Sequence, residues 1–178
     1  MGNRPLFTCC RVAGAFLAVA ALTIGSYRSV AAAPHRPQTV SDFTLSDVNG
    51  KPVKFSSLSA KAVVVDIWAT WCPPCEAEVP HLMALQKKYQ SQGLQVVGIA
   101  LDDVPLVQAF IQKNSLNYPV WMGSPTVEKV FGHIAEMPTT FVLDGRGHIR
   151  HVYEGYYGDK TTAALESDVQ AVLGGASQ

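Results

Sequence analysis

The stretch Ala62-Val63-Val64-Val65-Asp66-Ile67-Trp68-Ala69-Thr70-Trp71-Cys72-Pro73-Pro74-Cys75 decides the fold. Its first seven residues form a nearly continuous apolar run of strand length, the pattern of a strand covered on both faces. After the cysteines, Val79, Leu82, Met83, Leu85 and Tyr89 recur at helical spacing within 76–92, and Gly93 supplies a stop. Pro73 and Pro74 lack an amide hydrogen and have φ preset near the helical value, so they suit a first helical turn. A buried strand therefore hands over to a helix, with Cys72 at the N-cap and Cys75 inside the first turn.

That position has chemical consequences. Residues three apart on a helix have Cβ atoms about 5–6 Å apart, and a disulfide wants Cα atoms about 4.4–6.8 Å apart, so the pair can open and close with little backbone movement. A thiolate at a helix N-terminus is stabilised by the dipole and by free amides, which marks Cys72 as the attacking sulfur and Cys75 as the resolving one. Two prolines remove two of those amides, and Glu76 and Glu78 add negative charge nearby. Both features favour a moderate thiolate, hence a reductant or mild exchanger over a strong oxidant.

Working outward, 94–101 is a second buried strand and 106–113 a second helix, with a short extended piece at 118–121 and a short helix at 126–131. Thr139 to Leu143 and His148 to Tyr153 are strands joined by Asp144-Gly145-Arg146-Gly147, a hairpin turn by composition. Residues 161–173 close the chain as an amphipathic helix. Upstream, Phe43-Thr44-Leu45 and Val53-Lys54-Phe55 alternate around Asp47-Val48-Asn49-Gly50, a small β-hairpin. The order βαβ then ββα, with short connections, implies one mixed sheet covered by helices. The expected architecture is α/β: a central mixed β-sheet flanked by helices, with an N-terminal β-hairpin extension.

The first 32 residues differ from the rest. Arg4 and Arg11 precede an apolar run from Val12 to Ile24, and small residues crowd Ser29 to Ala33, the order of a secretory signal. The 16 residues between Arg11 and Arg28 fall short of the roughly 20 that span a bilayer core. Cleavage after Ala32 is favoured over an uncleaved inner-membrane anchor, and a proline-bearing leader over 33–40 then precedes a domain over 41–175. Removing Arg4, Arg11 and Arg28 leaves 11 basic residues against 14 acidic, a net charge of −3. No basic stripe remains to suggest nucleic acid. Cys9 and Cys10 leave with the signal, so the exported chain keeps two cysteines. A loop that short gains little from a structural crosslink, which points to redox work or metal.

The run Asp66 to Cys75, with Glu78 and Pro80, resembles the thioredoxin superfamily and, more narrowly, TlpA/ResA-like thiol–disulfide oxidoreductases of bacterial envelopes. Met137-Pro138-Thr139-Thr140-Phe141-Val142-Leu143-Asp144 and the opening Phe43 to Lys51 resemble the same family, over about 41–173. The resemblance implies a thioredoxin-like fold and a periplasmic or otherwise extracytoplasmic protein-disulfide reductase. It implies Asp66 as the buried base for Cys75 and Glu78 as a residue that tunes the thiols or helps contact substrate. It also implies a cis Met137–Pro138 bond that exposes the Met137 backbone to an extended substrate. Trp68 and Trp71 flank the site, with Trp71 expected over Cys72 and Trp68 in the core. Partners by the same resemblance are protein disulfides, apocytochrome c or metallochaperone cysteines among them, and a membrane dithiol donor. A monomer is expected, without cofactor or metal.

Other readings stay open on the residues. Asp66 could sit at an exposed strand edge, and Glu78 could be a solvated first-turn glutamate favoured by the dipole. C-x-x-C can be half of a zinc site, although no second pair exists and the histidines are scattered. Thr70, two before Cys72, and the similar opening hairpin suggest a peroxidase of the peroxiredoxin type, at the wrong spacing for its usual Thr-x-x-Cys. Two thiols also suit a copper-binding metallochaperone. A disulfide-introducing oxidase would need a larger helical insert than the interval between Gly98 and Pro138 allows.

Overall fold

The computed structural model describes residues 38–175. The expected signal over 1–32, with Cys9 and Cys10, and most of the leader lie outside the described residues. The elements are β1 (Thr44–Asp47), β2 (Pro52–Lys54), β3 (Ala62–Trp68), α1 (Pro73–Tyr89), β4 (Leu94–Ala100), α2 (Val104–Asn114), β5 (Val120–Met122), α3 (Thr126–Phe131), β6 (Thr139–Asp144), β7 (Ile149–Glu154) and α4 (Asp159–Leu173).

Each expected strand and helix is present, with ends moved by a few residues. α1 starts at Pro73 because Cys72 caps it, and its last turn tightens into a 3₁₀ piece over Gln90–Gln92 before Gly93 at φ +106°. The β1–β2 turn closes because the Asp47 carboxylate accepts the amides of Asn49 and Lys51 at 2.8 and 2.9 Å, with Gly50 at φ +80°. The β6–β7 turn repeats that device, since Asp144 accepts the amides of Arg146 and His148, on either side of Gly147 at φ +82°. Short acidic side chains that bond their own backbone are the reason such turns form locally.

The seven strands make one sheet in the order β2-β1-β5-β4-β3-β6-β7. β3, β4 and β5 run parallel, and the other pairs are antiparallel. The hairpin expected as an extension is part of the central sheet, because Ser46 and Asp47 pair with Met122 and Trp121 of β5. Within the expected leader, the Gln38 carbonyl accepts the Ile149 amide, the Val40 amide reaches Gly147, and Val40 is buried. Part of the expected leader is thereby tied to the β6–β7 turn.

β3 lies at the centre, and all seven of its residues are buried. Its even-numbered Val64 and Trp68 join a core with residues of α1, α2 and α4, while Val63, Val65 and Ile67 join a second core with Phe43, Trp121 and α3. The period of two separates the faces. Each fully buried aliphatic side chain contributes about 1.5–3 kcal/mol, so β3 anchors both layers. β3 ends and β6 begins at the same edge of the sheet, with Ile67 opposite Thr139. The loop carrying Trp71 and Cys72 and the loop carrying Met137 and Pro138 therefore leave side by side. Among the described residues no helix is long and apolar enough to cross a membrane.

Candidate active site

Cys72 occupies the N-cap of α1 in extended conformation, φ −99° and ψ 101°, with Pro73 and Pro74 in the first turn. Its Sγ accepts the Cys75 amide at 3.3 Å. With no N–H on either proline, Cys75 is the first residue of the helix that can donate to that sulfur. Cys72 and Cys75 are joined as a disulfide, with Cα atoms 5.3 Å apart. Cys72 is 5% exposed and Cys75 1%, so the N-cap sulfur is the more open of the two. Trp71 is 65% exposed beside it, whereas Trp68 is core.

Asp66 and Glu78 are each only 1% exposed. β3 is a central strand, which removes the reading of Asp66 as an edge residue. The solvated reading of Glu78 fails too, because its helical face turns toward the sheet. Asp66 shares the parity of Val64 and Trp68 and so faces the core that holds both cysteines. Its neighbours across the ladder are Gly98 on β4 and Thr140 on β6, so neither flank supplies a positive charge. The Thr140 hydroxyl donates to the two Glu78 carboxylate oxygens at 3.1 and 3.4 Å. Asp66 Oδ1, Trp68 Nε1 and the Tyr118 hydroxyl are buried without a hydrogen-bond partner.

Burial disfavours the charged form of both carboxyls. It holds Asp66 well above its usual value, the nearby Glu78 carboxyl raises it further, and the Thr140 hydroxyl opposes the rise. Burial likewise pushes Glu78 up to about 7, against the Thr140 hydrogen bond. Tyr118 is raised by burial and then by the two carboxyls, so it stays a neutral phenol. Contrary to what their spacing suggests, Glu76 and Glu78 do not both add negative charge beside the thiols. Glu76 is paired with Lys113 at 2.9 Å on the surface, and Glu78 holds its proton far more firmly than a solvated glutamate.

The Met137–Pro138 bond is cis. Met137 packs against the core containing the cysteines, and it also borders an apolar cavity of about 380 Å³ lined by Leu101, Val127, Ile134 and Ala135, with Glu128 and Glu136. Thr70, on which the peroxidase alternative rested, donates its hydroxyl to the Asp102 carboxylate, which also accepts the Thr70 amide at 3.2 Å. Asp102 thereby fastens the loop before Cys72 to the end of β4. Among the described residues no group of three or more His, Cys, Asp or Glu is arranged to hold a metal ion.

The expected residues Cys72, Cys75, Asp66 and Glu78 thus share one face of the sheet, with Trp71, Met137 and Pro138 at its edge. Asp102, Tyr118 and Thr140 were missed as functional candidates. Asp102 stands at the C-terminal end of a parallel strand, a general place for functional side chains, and that signal was available. Thr140 lay inside a quoted motif, yet its partner depends on strand register that the sequence does not display.

Residues 37–152 match the AhpC/TSA family. The chain is 31% identical over 134 residues to the thiol-disulfide oxidoreductase ResA of a Bacillus cereus strain, covering 74% of this chain and 75% of that one. A thiol:disulfide interchange protein of the thioredoxin family from Chlorobium tepidum TLS superposes with a TM-score of 0.67 at 34% identity, over 79% of this chain and 99% of its own. A secreted disulfide oxidoreductase of Mycobacterium tuberculosis matches at TM-score 0.62 and 26% identity, over 72% and 95% of the two chains. These likenesses bear out the thioredoxin-like α/β fold and the TlpA/ResA-like resemblance.

Proposed function

This chain belongs to the AhpC/TSA family as a ResA-like thiol–disulfide oxidoreductase, and from that premise we propose that it is an exported reductase of protein disulfides that works through Cys72 and Cys75. The observation that carries the reading is the N-cap geometry, in which Cys72 Sγ takes the Cys75 amide at the start of α1. A helix N-terminus stabilises sulfur anions, and this one offers Cys72 a single first-turn amide in place of several. The thiolate is stabilised moderately, which suits a reductant.

In the reduced form Cys72 attacks a substrate disulfide, one substrate sulfur leaves, and a mixed disulfide remains. Cys75, once deprotonated by Asp66, attacks Cys72 Sγ and releases the second substrate sulfur. Glu78 tunes the thiols from beneath and does not touch substrate, since it is buried. Exposed Trp71 and the Met137 segment beside cis Pro138 form the docking edge, where an extended peptide pairs with the Met137 backbone. The apolar run over 12–24 directs the chain out of the cytoplasm. By analogy with the family the substrates are cysteines of apocytochrome c or of a metallochaperone, and a membrane dithiol donor restores the reduced state.

The test is capture with Cys75→Ser in the native envelope. Mixed disulfides on Cys72 with extracytoplasmic cysteine proteins, abolished by adding Cys72→Ser, are the expected outcome. Full reductase activity in Cys72→Ser would overturn the reading, and a midpoint potential close to that of a strong periplasmic oxidant would overturn its direction.

A further inference from the structure

Two buried carboxyls on one face of a sheet, with no cation beside them in the ladder, cannot both ionise at low cost. The desolvation penalty for each, even after relaxation, is comparable to the whole stability of a small domain. Asp66 reaches this site from β3 and Glu78 from α1, and Thr140 of β6 lies between them, directly across the ladder from Asp66 and within 3.1 Å of Glu78. We propose that Asp66, Glu78 and the Thr140 hydroxyl act as one unit on the α1 face of the sheet, in which the two carboxyls hold a single proton between them and take a second from Cys75 when the mixed disulfide is resolved. The proposal rests on the exchange reaction proposed above and deepens it, since it replaces a lone base with a pair and gives Thr140 a positioning role.

The groups around the pair agree. The Asp66 carboxyl is raised by burial and then by the charge of Glu78, while Glu78 is raised by burial against the hydrogen bond from Thr140. Tyr118, in the segment before β5, is held neutral by burial and then by the two carboxyls, and the cysteines close the site from α1. Thr140 has one hydroxyl hydrogen, which stabilises whichever carboxylate is ionised. Asp66 Oδ1 is buried without a partner, where a negative charge is costlier than a neutral hydroxyl.

The step balances. The Cys75 thiol gives its proton to the ionised member of the pair, and its sulfur forms the bond to Cys72 Sγ. The bond between Cys72 and the substrate sulfur breaks, and that sulfur departs with the electron pair as a thiolate. The cysteine pair is oxidised, the substrate is reduced, and the carboxyl pair becomes neutral. Reduction of the disulfide by the donor reverses the proton movement.

The experiment is a carbon-13 NMR titration of the side-chain carboxyl resonances of Asp66 and Glu78 in the purified, oxidised protein. A shared proton predicts that both resonances move in both of two steps, separated by on the order of one pH unit or more. In Asp66→Asn, and separately in Glu78→Gln, the remaining carboxyl should titrate once, at lower pH than the upper step of the native protein. Thr140→Val should raise the lower step, in which the neutral pair loses its first proton, because the hydroxyl no longer stabilises the single negative charge that results, and Thr140→Ser should restore it. Independent single steps in the native protein, unmoved by neutralising the other carboxyl, would overturn the proposal. The titration needs no substrate, so a protein inert to disulfides would reject the exchange reaction while leaving the pair intact. Where a carboxyl variant fails to fold, the native protein still decides, because a single step for each carboxyl there overturns the proposal by itself.

Discussion

Thr140 and Phe141 are neighbours on β6, yet their side chains meet different chemistry on opposite faces of the sheet. Thr140 donates to Glu78 on the α1 face, beside Asp66 and below the cysteines. Phe141 turns the other way and packs against Phe131 with ring centroids 4.9 Å apart, and Phe131 in turn meets Phe43 edge-on at 5.6 Å. The core of the α3 face consists of apolar side chains such as Val65, Ile67, Val97, Ile99 and Leu143. The α1 face holds two carboxyls, a threonine hydroxyl, a phenol and an indole N–H in comparable burial. One face is apolar in its core, and the other buries polar groups that the proposed exchange reaction uses to move protons.

The largest expected effect separates the faces through Phe131. Phe131→Ala removes a fully buried ring from the α3 face and should cost about 3–5 kcal/mol in denaturant unfolding. The exchange rate per folded molecule should stay unchanged. A slowed rate in folded protein would break the division of labour between the faces.

The next effect concerns pH on the α1 face. Glu78 ionises at 4.5 when solvated and at about 7 in the folded chain, so the folded state holds this proton more tightly. Its contribution is present in full below pH 4.5 and is lost as pH rises from 4.5 to about 7. At roughly 1.4 kcal/mol per pH unit the loss is about 3 kcal/mol. Glu78→Gln should remove that part of the decline, so that its stability falls less than the native protein's across the interval. Chemical denaturation at several pH values checks this, and an identical slope in the variant would count against a buried, proton-holding Glu78.

The smallest effect belongs to the surface pair near the site. Lys113 and Glu76 are exposed, so Lys113→Ala should cost no more than about 1 kcal/mol, and less in high salt. A larger loss, or a changed reduction rate, would show that Glu76 acts on the thiols after all.

Much of this could be read from residues 62–93. An apolar run, a pair of prolines, a period of 3.6 and a terminal glycine each report backbone preferences within a few residues, so β3, the N-cap at Cys72 and α1 were legible. The turns at Asp47 and Asp144 were legible for the same reason. The placement of the hairpin was not, because β1 pairs with β5 across about 75 residues of chain, and a short alternating strand carries no label for its partner. Glu78 was recognised by resemblance, but its burial was not, since three residues past Cys75 is compatible with either face of a helix that tilts over a sheet.

What the amino-acid order determined alone is the redox pair and its local setting: two sulfurs three residues apart at the mouth of a helix, preceded by a strand apolar enough to be central. Only the tertiary structure decided that Asp66 and Glu78 meet the same threonine, and that Thr70 is fastened to Asp102. Capping, turns and periodicity are settled by forces that act within one turn or one hairpin. Two buried carboxyls, one of which raises the other's proton affinity, are brought together by strand register and helix packing, over separations at which the chain itself expresses no preference.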